Sequence, residues 1–345
     1  MANTSIRVTK IGKNGLTVPV PGFGLMGLSQ ATYGSVPSDE ERFAVLDRAH
    51  DLKLTFWDTA DLYGDGEELL NKWFRRTGKR DEIFLSTKFG FTIGASGLGV
   101  DSSAAYCKKA CSESLRRLGI DSIDLYYMHH ANPKTPIEET MRALKELKAE
   151  GKIKYIGLSA ISSNTLRRAV KIAPVDVVQL DYSPFTREIE GPEGTNLLAT
   201  CRELGVTIVA AMPLGRGMIT TNYAAGEALT DAQDQRAKAM PRFLEQNRTT
   251  NEKTIQQFQA LADKKGCTTA QLSLAWLMKQ GSDIIPIPGT KRVKYLEENW
   301  ASRYIELSDE EEKEIRCFLD KAEIAGAALP EQFKDYNFTD TVEEA

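Results

Sequence analysis

Short apolar runs alternate with longer amphipathic segments along most of this chain. Each run of six to eight residues is typical of a buried strand, and each amphipathic segment of ten or more is typical of a surface helix. The runs are PGFGLMG, TFWDTA, EIFLSTKF, DLYYMHH, YIGLSA, VVQLDYS, TIVAAMPL and DIIPIPG. Because no change of composition marks a linker, the alternation predicts one α/β domain, a (β/α)8 barrel of the TIM type.

The predicted domain covers residues 1–345 and has an additional element at each end. Asn14-Gly15 lies between two β-branched runs, which predicts an N-terminal β-hairpin over about residues 5–19, acting as a lid. The barrel is expected over about 20–303, followed by a helical C-terminal extension over about 304–345.

Polar residues at helix starts support the predicted boundaries. Ser38-Asp39-Glu40-Glu41 opens one helix, and Pro136-Ile137-Glu138-Glu139 opens another that Gly151 ends.

Three segments do not follow the strand and helix pattern. Residues 221–251 exceed an ordinary loop, which predicts a lid or a binding loop at the strand-end face. The glycine-rich segment GFTIGASGLGV after Lys88 is expected to be flexible and to face the substrate. The last twenty or so residues are acidic and are expected to be loose.

The composition is that of an ordinary soluble enzyme. Apolar residues make up 41% and charged residues 27% of 345, and 44 basic against 48 acidic side chains leave a net charge of −4. These values disfavour disorder and strong nucleic-acid binding. No apolar stretch approaches the roughly 20 residues of a membrane helix, and the start lacks the apolar run of a signal peptide. We therefore expect a cytoplasmic protein with no membrane or nucleic-acid partner.

Five cysteines are scattered without a C-x-x-C motif: Cys107, Cys111, Cys201, Cys267 and Cys317. Their odd number and spacing predict reduced thiols, with no disulfide framework and no structural zinc site. Cys107 and Cys111 lie one helical turn apart, so a disulfide or a metal site there is a minor alternative.

Polar residues close three successive predicted strands. Asp58 ends the second strand, Lys88 the third and His129 the fourth, while Tyr63 follows Asp58 by five residues. Each has an ordinary explanation alone, such as a solvated lysine or a helix-capping aspartate. Barrel enzymes place their chemistry at the carboxyl ends of the strands, so together these residues predict an active site at one mouth.

This combination of residues suits a general acid. A free tyrosine, with a pKa of about 10, is a poor proton donor at neutral pH. A cation about 4 Å from the phenolate favours ionisation by about 4 kcal/mol at an effective dielectric constant near 20, so Lys88 is predicted to make Tyr63 more acidic. Asp58 would keep Lys88 charged, and His129 would hydrogen-bond the tyrosine oxygen or a substrate carbonyl. The arrangement predicts protonation of a carbonyl oxygen, with hydride delivered by a cofactor.

The segment GFGLMG matches the G-x-G-x-x-G motif of dinucleotide-binding folds, yet its context argues against that fold. A loop, LSQATYGSVPSDEE, follows where the motif requires a helix. We interpret the glycines as a tight strand end at which backbone comes close to a ligand.

At the strand-end residues the sequence resembles the aldo-keto reductase superfamily, in particular its bacterial, fungal and potassium-channel-subunit-like branches. The resemblance covers nearly the whole chain. It rests on FWDTADLYGDGEELL, FLSTKFGF, DLYYMHHANPKTPIEETMRALKELKAEGKIKYIGLSA, VVQLDYSPF, MPLGRG and IPIPGTKRVKYLEENW. It implies that Asp58, Tyr63, Lys88 and His129 are catalytic, with Tyr63 as the acid. It also implies NADPH as the hydride donor, extended across the barrel mouth.

The resemblance further implies a set of cofactor-binding residues. Ser159 and Gln179 match positions that hold the nicotinamide carboxamide, and Pro213, Leu214, Gly215 and Arg216 match the loop that covers the pyrophosphate. Leu25, Met26, Asp58 and Tyr182 are further implied cofactor-binding residues. Those for the adenosine end are Gly289, Thr290, Lys291, Arg292, Glu298 and Asn299. Lys291 and Arg292 precede the predicted helix VKYLEEN, so backbone amides and two cations could face the 2′-phosphate of NADPH, a solvated basic pair being the alternative.

Two replacements distinguish the chain from the family pattern. Ala211-Met212 stand where Tyr-Ser is common, which removes an aromatic residue near the nicotinamide. His130 stands where an arginine is frequent, which exchanges a permanent cation for a titratable group. Neighbouring histidines on a strand face opposite sides, so we assign no metal to His129 and His130.

These observations predict reduction of an aldehyde or ketone to an alcohol with NADPH, the partner being a small carbonyl compound. The alternative is an NADPH-binding redox-sensing subunit with slow turnover. A Schiff-base enzyme using Lys88 is disfavoured, because Asp58 should keep its amine protonated. Trp57, Phe89, Phe91 and Phe185 could line an apolar pocket or simply pack. Aromatic or pyridoxal-like aldehydes, sugars and natural-product ketones remain open as substrates, and so does the oligomeric state.

Overall fold

Eight parallel strands surrounded by helices form the predicted barrel. The computed structural model describes residues 6–94, 97–227, 229 and 231–344. The strands of the described chain are β1 (Val8–Lys10), β2 (Thr17–Pro19), β3 (Phe23–Gly24), β4 (Phe56–Asp58), β5 (Phe84–Phe89), β6 (Phe91–Gly94), β7 (Gly97–Val100), β8 (Ile123–Met128), β9 (Ile153–Ser159), β10 (Val177–Asp181), β11 (Thr207–Ala211) and β12 (Ile284–Pro286). The α-helices are α1 (Met26–Ser29), α2 (Asp39–Asp51), α3 (Gly66–Thr77), α4 (Ala104–Leu118), α5 (Ile137–Ala149), α6 (Ser163–Ile172), α7 (Leu197–Leu204), α8 (Thr221–Ala224), α9 (Arg236–Ala239), α10 (Glu245–Lys265), α11 (Thr269–Lys279), α12 (Val293–Ala301) and α13 (Asp309–Leu319).

Glycine allows the barrel to close between its first and last strands. The sheet runs in the order β12-β11-β10-β9-β8-β5-β4-β3, and Gly24 of β3 then bridges Gly289 after β12. A Cβ atom on Gly24 would lie 2.8 Å from the carbonyl oxygen of Ile287, and one on Gly289 would lie 2.9 Å from that of Gly24. The GFGLMG segment therefore marks a close approach of two backbones. The helix after it, α1, has only four residues, unlike the long helix of a dinucleotide-binding fold.

The N-terminal hairpin plugs the amino-terminal end of the barrel. Strands β1 and β2 pair antiparallel within the predicted range of 5–19, of which Ser5 lies outside the described residues. The Gly12 N–H donates to the hydroxyl of Thr207, the first residue of β11, at 2.8 Å. Ile11 and Val18 are buried in the barrel interior. The hairpin is thus a floor at the end away from the strand-end mouth, which corrects the expectation of a lid.

The helix boundaries follow the predicted polar signals. Ser38 caps α2, and its hydroxyl and the Glu41 carboxylate form the two reciprocal hydrogen bonds of a capping box. Helix α5 begins after Pro136 and ends just before Gly151.

Side chains on the barrel strands alternate between two apolar layers. Outward-facing residues such as Trp57 and Tyr126 join the core beneath the helices. The interior cluster consists of Ile11, Val18, Val20, Phe56, Leu125, Tyr127, Val177, Val209, Leu274, Met278, Ile285 and Ile287. The position two residues beyond an interior side chain faces inward again, one layer nearer the mouth. That next position is Asp58 in β4, Gln179 in β10 and Ala211 in β11, and it is His129 directly after β8. Alternation alone therefore directs these residues to one end of the barrel.

Two of the segments outside the repeat pattern contain regular structure. The glycine-rich segment after Lys88 forms the antiparallel hairpin β6–β7, so the prediction of a flexible loop is wrong for its strands. Ala95 and Ser96 at its tip lie outside the described residues. The insertion at 221–251 includes α8, α9 and the start of α10, and Ala228 and Thr230 within it lie outside the described residues.

The C-terminal tail is fixed to the barrel, which corrects the expectation that it is loose. Thr339 pairs with Ile161 in a parallel bridge, and its N–H donates to the Ala160 carbonyl at 2.8 Å. The Arg168 guanidinium donates to the carbonyls of Thr341 at 2.7 Å and Val342 at 2.6 Å. These hydrogen bonds to the backbone hold the tail in place, although the acidic side chains of the segment did not predict that it packs on the barrel.

We expect the cysteines to differ sharply in reactivity. All five are free thiols, and burial raises the pKa of Cys111 to about 12 and that of Cys107 further. Because the thiolate is the reactive form, iodoacetamide at about pH 8 should label exposed Cys317 first in the native protein, and all five thiols after denaturation. Mass spectrometry of the labelled peptides measures this, with Cys317→Ser as the control. Rapid native labelling of Cys107 or Cys111 would contradict the structure.

Gly157→Ala should destabilise the barrel interior. A Cβ atom at Gly157 of β9 would lie 2.2 Å from Cδ1 of fully buried Tyr127. Such overpacking should lower the free energy of unfolding by roughly 1–3 kcal/mol, measured by urea denaturation. Gly94→Ala on β6 is the matched control, because a Cβ atom there meets nothing within 4 Å among the described residues. Equal losses in the two variants would refute this account.

Candidate active site

Three ionisable side chains and a tyrosine meet at the carboxyl ends of β4, β5 and β8. Asp58 ends β4, Lys88 is next to last in β5, and His129 directly follows β8. Tyr63 lies in the loop between β4 and α3. The Lys88 Nζ atom is 5.0 Å from the centroid of the Tyr63 ring, and the Tyr63 and His129 rings are 5.8 Å apart at 85°. The structure thus brings together the four residues predicted to be catalytic.

A buried ion pair anchors this group. The Lys88 Nζ atom lies 2.5 Å from Asp58 Oδ1 and donates to the Thr59 carbonyl at 2.8 Å. Lys88 is fully buried and Asp58 is 2% exposed. Burial alone would lower the pKa of Lys88, but the charge of Asp58 and the neighbouring Tyr63 hold that pKa above its ordinary value. Lys88 is therefore a permanent cation in the mouth.

The pKa of Tyr63 is shifted in the direction opposite to the predicted one. Burial of the phenol raises its pKa above the ordinary value of 10, and the charge of Lys88 only partly opposes this effect. The prediction that Lys88 makes Tyr63 more acidic than a free phenol is therefore wrong for the protein without a ligand. The reason is that the Coulomb estimate counted the cation and left out the cost of burying the phenolate. The neutral phenol is the stable form.

His129 is held in its neutral form. Burial, followed by the charges of Lys88 and His130, lowers the pKa of His129 well below its ordinary value of 6.5. Its Nδ1 atom is buried without a hydrogen-bond partner among the described residues. The edge of Phe91 approaches the imidazole with ring centroids 4.9 Å apart. A neutral imidazole and a neutral phenol each have a hydrogen-bond donor and an acceptor, so the two side chains can hydrogen-bond the same small polar group.

Ser159 and Gln179 lie side by side across the mouth. They are register partners on β9 and β10, and both are buried. The Gln179 side-chain amide donates to Asp58 Oδ2 at 2.9 Å, and the Ser86 hydroxyl donates to the same oxygen at 2.7 Å. Both residues implied to hold a carboxamide therefore lie next to the ion pair.

The loop after β11 makes a tight turn over the mouth. Met212, Gly215, Arg216 and Gly217 have positive φ angles of 48°, 54°, 59° and 91°. The loop is fixed beneath by the Ser273 hydroxyl, which donates to the Pro213 carbonyl at 2.7 Å. Arg216 donates to Asp181 at 3.2 Å. Leu214 packs against the interior cluster. This is the Pro213–Arg216 loop that the resemblance assigned to a pyrophosphate.

The two basic residues at the predicted adenosine end differ in their contacts. The Lys291 amine donates to the carbonyls of Tyr33 at 3.0 Å and Ser35 at 2.8 Å. Arg292 is exposed at the N-terminus of α12 and has no carboxylate within 4.0 Å among the residues described. Thr290 lies beside it, and its hydroxyl accepts from the Arg292 N–H at 3.1 Å. A cation pair at a helix start, not neutralised by protein carboxylates, fits a phosphate group.

Several other implied cofactor residues are engaged in the protein itself. Tyr182 is fully buried, donates to Glu190 at 2.6 Å and packs against Trp276, so its side chain lies in the core and not in the mouth. Glu298 accepts a hydrogen bond from Thr268 at 2.6 Å. Of the three remaining residues, Leu25 donates its N–H to the Asp58 carbonyl at 2.9 Å, Met26 begins α1, and Asn299 is buried in α12.

Of the four aromatic residues considered for an apolar pocket, Phe91 lies beside His129. Trp57 packs on Trp73 with ring centroids 4.8 Å apart, Phe89 stacks on Tyr126 at 5.1 Å, and Phe185 packs on Phe258 at 5.4 Å. These three serve packing, because strand alternation turns Trp57 and Phe89 away from the mouth.

The C-terminal tail supplies an aromatic wall that the sequence did not indicate. Tyr336 stacks on Phe91 with centroids 5.9 Å apart and meets the His130 ring edge-on at 4.3 Å. Burial lowers the pKa of His130, so this wall is uncharged at neutral pH. The two contacts join residues more than 200 positions apart in the sequence, and no local pattern predicts them.

A strap crosses the mouth from the insertion to the loop after β3. Asp234 pairs with Tyr33 in an antiparallel bridge, and the Gln235 N–H donates to the Thr32 carbonyl at 3.1 Å. Arg236 forms an ion pair with Asp234 and donates to the Arg216 carbonyl at 2.6 Å. The insertion therefore contacts the Pro213–Arg216 loop, at the strand-end face where a lid was predicted. The unusual length of segment 221–251 was the only sequence feature that indicated a lid, and its pairing with Tyr33 was not predictable.

One further acid, the half-buried Asp61, borders the site. Burial, together with the charge of Glu67, raises the pKa of Asp61 to about 7, and its Oδ1 atom has no hydrogen-bond partner among the described residues. No sequence pattern around Asp61 indicates this environment. Within the described chain, no cluster of three or more His, Cys, Asp or Glu residues is arranged to hold a metal ion, and no helix is long and apolar enough to cross a membrane.

Known proteins resemble this chain over almost its full length. The sequence profile described as "Aldo/keto reductase family" matches residues 22–320. "Aldo-keto reductase yakc [NADP(+)]" from Schizosaccharomyces pombe is 48% identical over 342 residues, which cover 98% of each chain. "Aldo-keto reductase str7" from Strobilurus tenacellus is 46% identical over 321 residues, covering 92% of this chain and 93% of the relative.

Solved structures support the same grouping. Aldo-keto reductase AKR11C1 from Bacillus halodurans superimposes with a TM-score of 0.73 at 26% identity, covering 95% of this chain and 99% of the other. The glycerol dehydrogenase AKR11B4 from Gluconobacter oxydans has a TM-score of 0.78 at 24% identity, covering 93% and 97%, which shows a shared fold. The barrel, the mouth and these matches together establish that the chain belongs to the aldo/keto reductase family.

Proposed function

We propose that this protein reduces an aldehyde or ketone to the alcohol, with NADPH as cofactor and Tyr63 as general acid. The observation that carries the proposal is the contact of a neutral, almost buried phenol with the Lys88–Asp58 ion pair at the mouth of the barrel. A proton donor beside a permanent cation suits a reaction in which negative charge develops on oxygen.

The choice of NADPH rests on the chain's own cations and on a relative. Exposed Arg292 and the Lys291 amine lie at the start of α12, where a 2′-phosphate would be attracted. The relative from Schizosaccharomyces pombe carries NADP(+) in its name. When bound, NADPH supplies the hydride that no protein side chain can provide. Ser159 and Gln179 would orient the nicotinamide carboxamide.

The protein residues divide the proton chemistry among them. Tyr63 donates its proton to the carbonyl oxygen, and Lys88 stabilises the phenolate that remains. His129, as a neutral imidazole, hydrogen-bonds the same oxygen and positions it near the phenol. Asp58 holds Lys88 in place and keeps it charged. Phe91 and Tyr336 exclude water from one side of this group.

Tyr63→Phe should abolish turnover and leave cofactor binding close to normal. The change removes one hydroxyl and retains the ring, so we expect kcat to fall by roughly 100-fold or more for loss of a general acid, while the Kd for NADPH changes little. Steady-state reduction of an aldehyde panel and fluorescence titration with NADPH measure the two quantities.

Tyr155→Phe is the matched control for this test, because its hydroxyl accepts from the Leu16 N–H on the N-terminal hairpin, remote from the mouth. Full activity of Tyr63→Phe would eliminate the proposed acid. A wild-type protein that binds NADPH but transfers hydride to no carbonyl compound would favour the redox-sensing role.

The pH dependence should separate the two reaction directions. Reduction needs the protonated phenol, and burial raises the pKa of Tyr63 above 10, so the reduction rate at saturating substrate should not fall between about pH 6 and pH 9. Alcohol oxidation needs the phenolate, and its rate should still rise at about pH 9. Measured kcat profiles in both directions test this. A loss of reduction with a midpoint near neutral pH would show that the bound cofactor reverses the effect of burial.

A further inference from the structure

The insertion brings a second guanidinium to the mouth in addition to Arg216. Arg242 immediately precedes Phe243 in the segment after α9, and its side chain reaches to the loop that follows β10. One of its terminal nitrogens donates to the Thr186 hydroxyl and the other to the Phe185 carbonyl, both at 3.0 Å. Neither acceptor carries a charge.

The charge of Arg242 is not neutralised by the protein. No carboxylate lies within 4.0 Å of its guanidinium nitrogens among the residues that the structure describes. Its Nε atom is buried and has no hydrogen-bond partner in the same part of the chain. Burial lowers the pKa of Arg242, and the positive charge of Arg216 lowers it further. The negative charges of Glu188 and Asp181 only partly oppose this decrease. A partly buried cation whose buried Nε donor has no acceptor is costly unless an anion binds there.

Arg242 shares a small cavity with the loop after β11. The charged residues among its described lining are Asp181, Arg216 and Arg242, and Met212 and Gly215 complete the side formed by that loop. Arg216 already pairs with Asp181 at 3.2 Å. The lining therefore has one uncompensated positive charge, and it belongs to Arg242.

We propose that Arg242 binds the diphosphate of the cofactor as a second guanidinium beside Arg216. The proposal rests on the proposed function, in which NADPH occupies the mouth and the loop after β11 covers its pyrophosphate. A diphosphate carries at least two negative charges, and Arg216 alone is largely balanced by Asp181. The planar guanidinium, already oriented by Thr186 and Phe185, is suited to phosphate oxygens. Binding would also tie the insertion to the cofactor.

The test compares a ligand that has a diphosphate with one that lacks it. NADPH and adenosine 2′-monophosphate share the adenosine and its 2′-phosphate, and the second lacks the diphosphate. Dissociation constants for both, by fluorescence titration and calorimetry, are measured for the wild type, Arg242→Gln, Arg242→Lys, Thr186→Val and Lys291→Gln. Thermal denaturation of each variant without ligand controls for folding.

We expect Arg242→Gln to weaken NADPH binding by roughly 10- to 100-fold, the range for loss of charge-assisted hydrogen bonds, and to leave adenosine 2′-monophosphate within about twofold of the wild type. Arg242→Lys should recover part of the affinity. Thr186→Val, which removes a contact of Arg242 without removing charge, should have a much smaller effect. Lys291→Gln should weaken both ligands.

Three results would overturn the proposal. NADPH affinity of Arg242→Gln within about twofold of the wild type would show that Arg242 does not contact the diphosphate. Equal weakening of both ligands in Arg242→Gln, or an equal effect of Thr186→Val, would show a structural role. Unchanged NADPH binding with a raised KM for 4-carboxybenzaldehyde but not for benzaldehyde would assign Arg242 to an acidic substrate. Failure of the wild type to bind NADPH at all would instead refute the proposed function.

Discussion

The Asp58–Lys88 ion pair is the interaction on which the arrangement of the mouth depends. Removing a carboxylate and an ammonium from water costs several kcal/mol each, and only close contact with further hydrogen bonds offsets that cost. The structure supplies the 2.5 Å contact, the Thr59 carbonyl for Lys88, and donors from Ser86 and Gln179 for Asp58. Removal of either charged partner would leave the other buried and unpaired, so the pair and its hydrogen bonds constrain the three strands β4, β5 and β10 at once.

Burial also determines the proton positions around this pair. The low-dielectric environment favours neutral Tyr63 and neutral His129, while direct contact with Asp58 keeps Lys88 charged. The result is a single buried salt bridge surrounded by neutral hydrogen-bonding groups. Negative charge that develops on an oxygen between Tyr63 and His129 would meet the Lys88 cation without the cost of rearranging water. The raised pKa of Tyr63 in the protein alone is compatible with proton donation, because the proton need leave only when that charge appears.

Strand periodicity explains why the centre of the site, Asp58, Lys88 and His129, was predictable. The rim of the site, which is formed by the insertion, the loop after β11 and the C-terminal tail, was not predictable in the same way. The eight strands and the inward positions of Asp58, Lys88 and His129 follow from alternation, which is local and has a period of two. The sign of the Tyr63 pKa shift was wrong because burial depends on side chains from several strands and loops, whose contributions no single segment contains. The Tyr336–Phe91 stack and the Tyr33–Asp234 bridge each join distant segments through irregular backbone. The position of Tyr182 was equally unpredictable, because its side chain has a polar end but turns into the core to meet Glu190.

The rim is built from segments outside the βα repeat, and its charges differ from those of the centre. At the centre every charge has a partner at contact distance. At the rim, Arg292 lies free of carboxylates within 4.0 Å in the described chain and Arg242 meets only neutral acceptors, while Arg216 is paired. The charged groups on the strands are thus paired with each other, whereas the added segments include cations, Arg242 and Arg292, that leave positive charge for a ligand to neutralise. Since the insertion is connected to the loop after β3 by backbone hydrogen bonds, an anion bound by Arg216 and Arg242 would stabilise the strap that lies over it. Cofactor binding and ordering of the insertion would then be one coupled equilibrium.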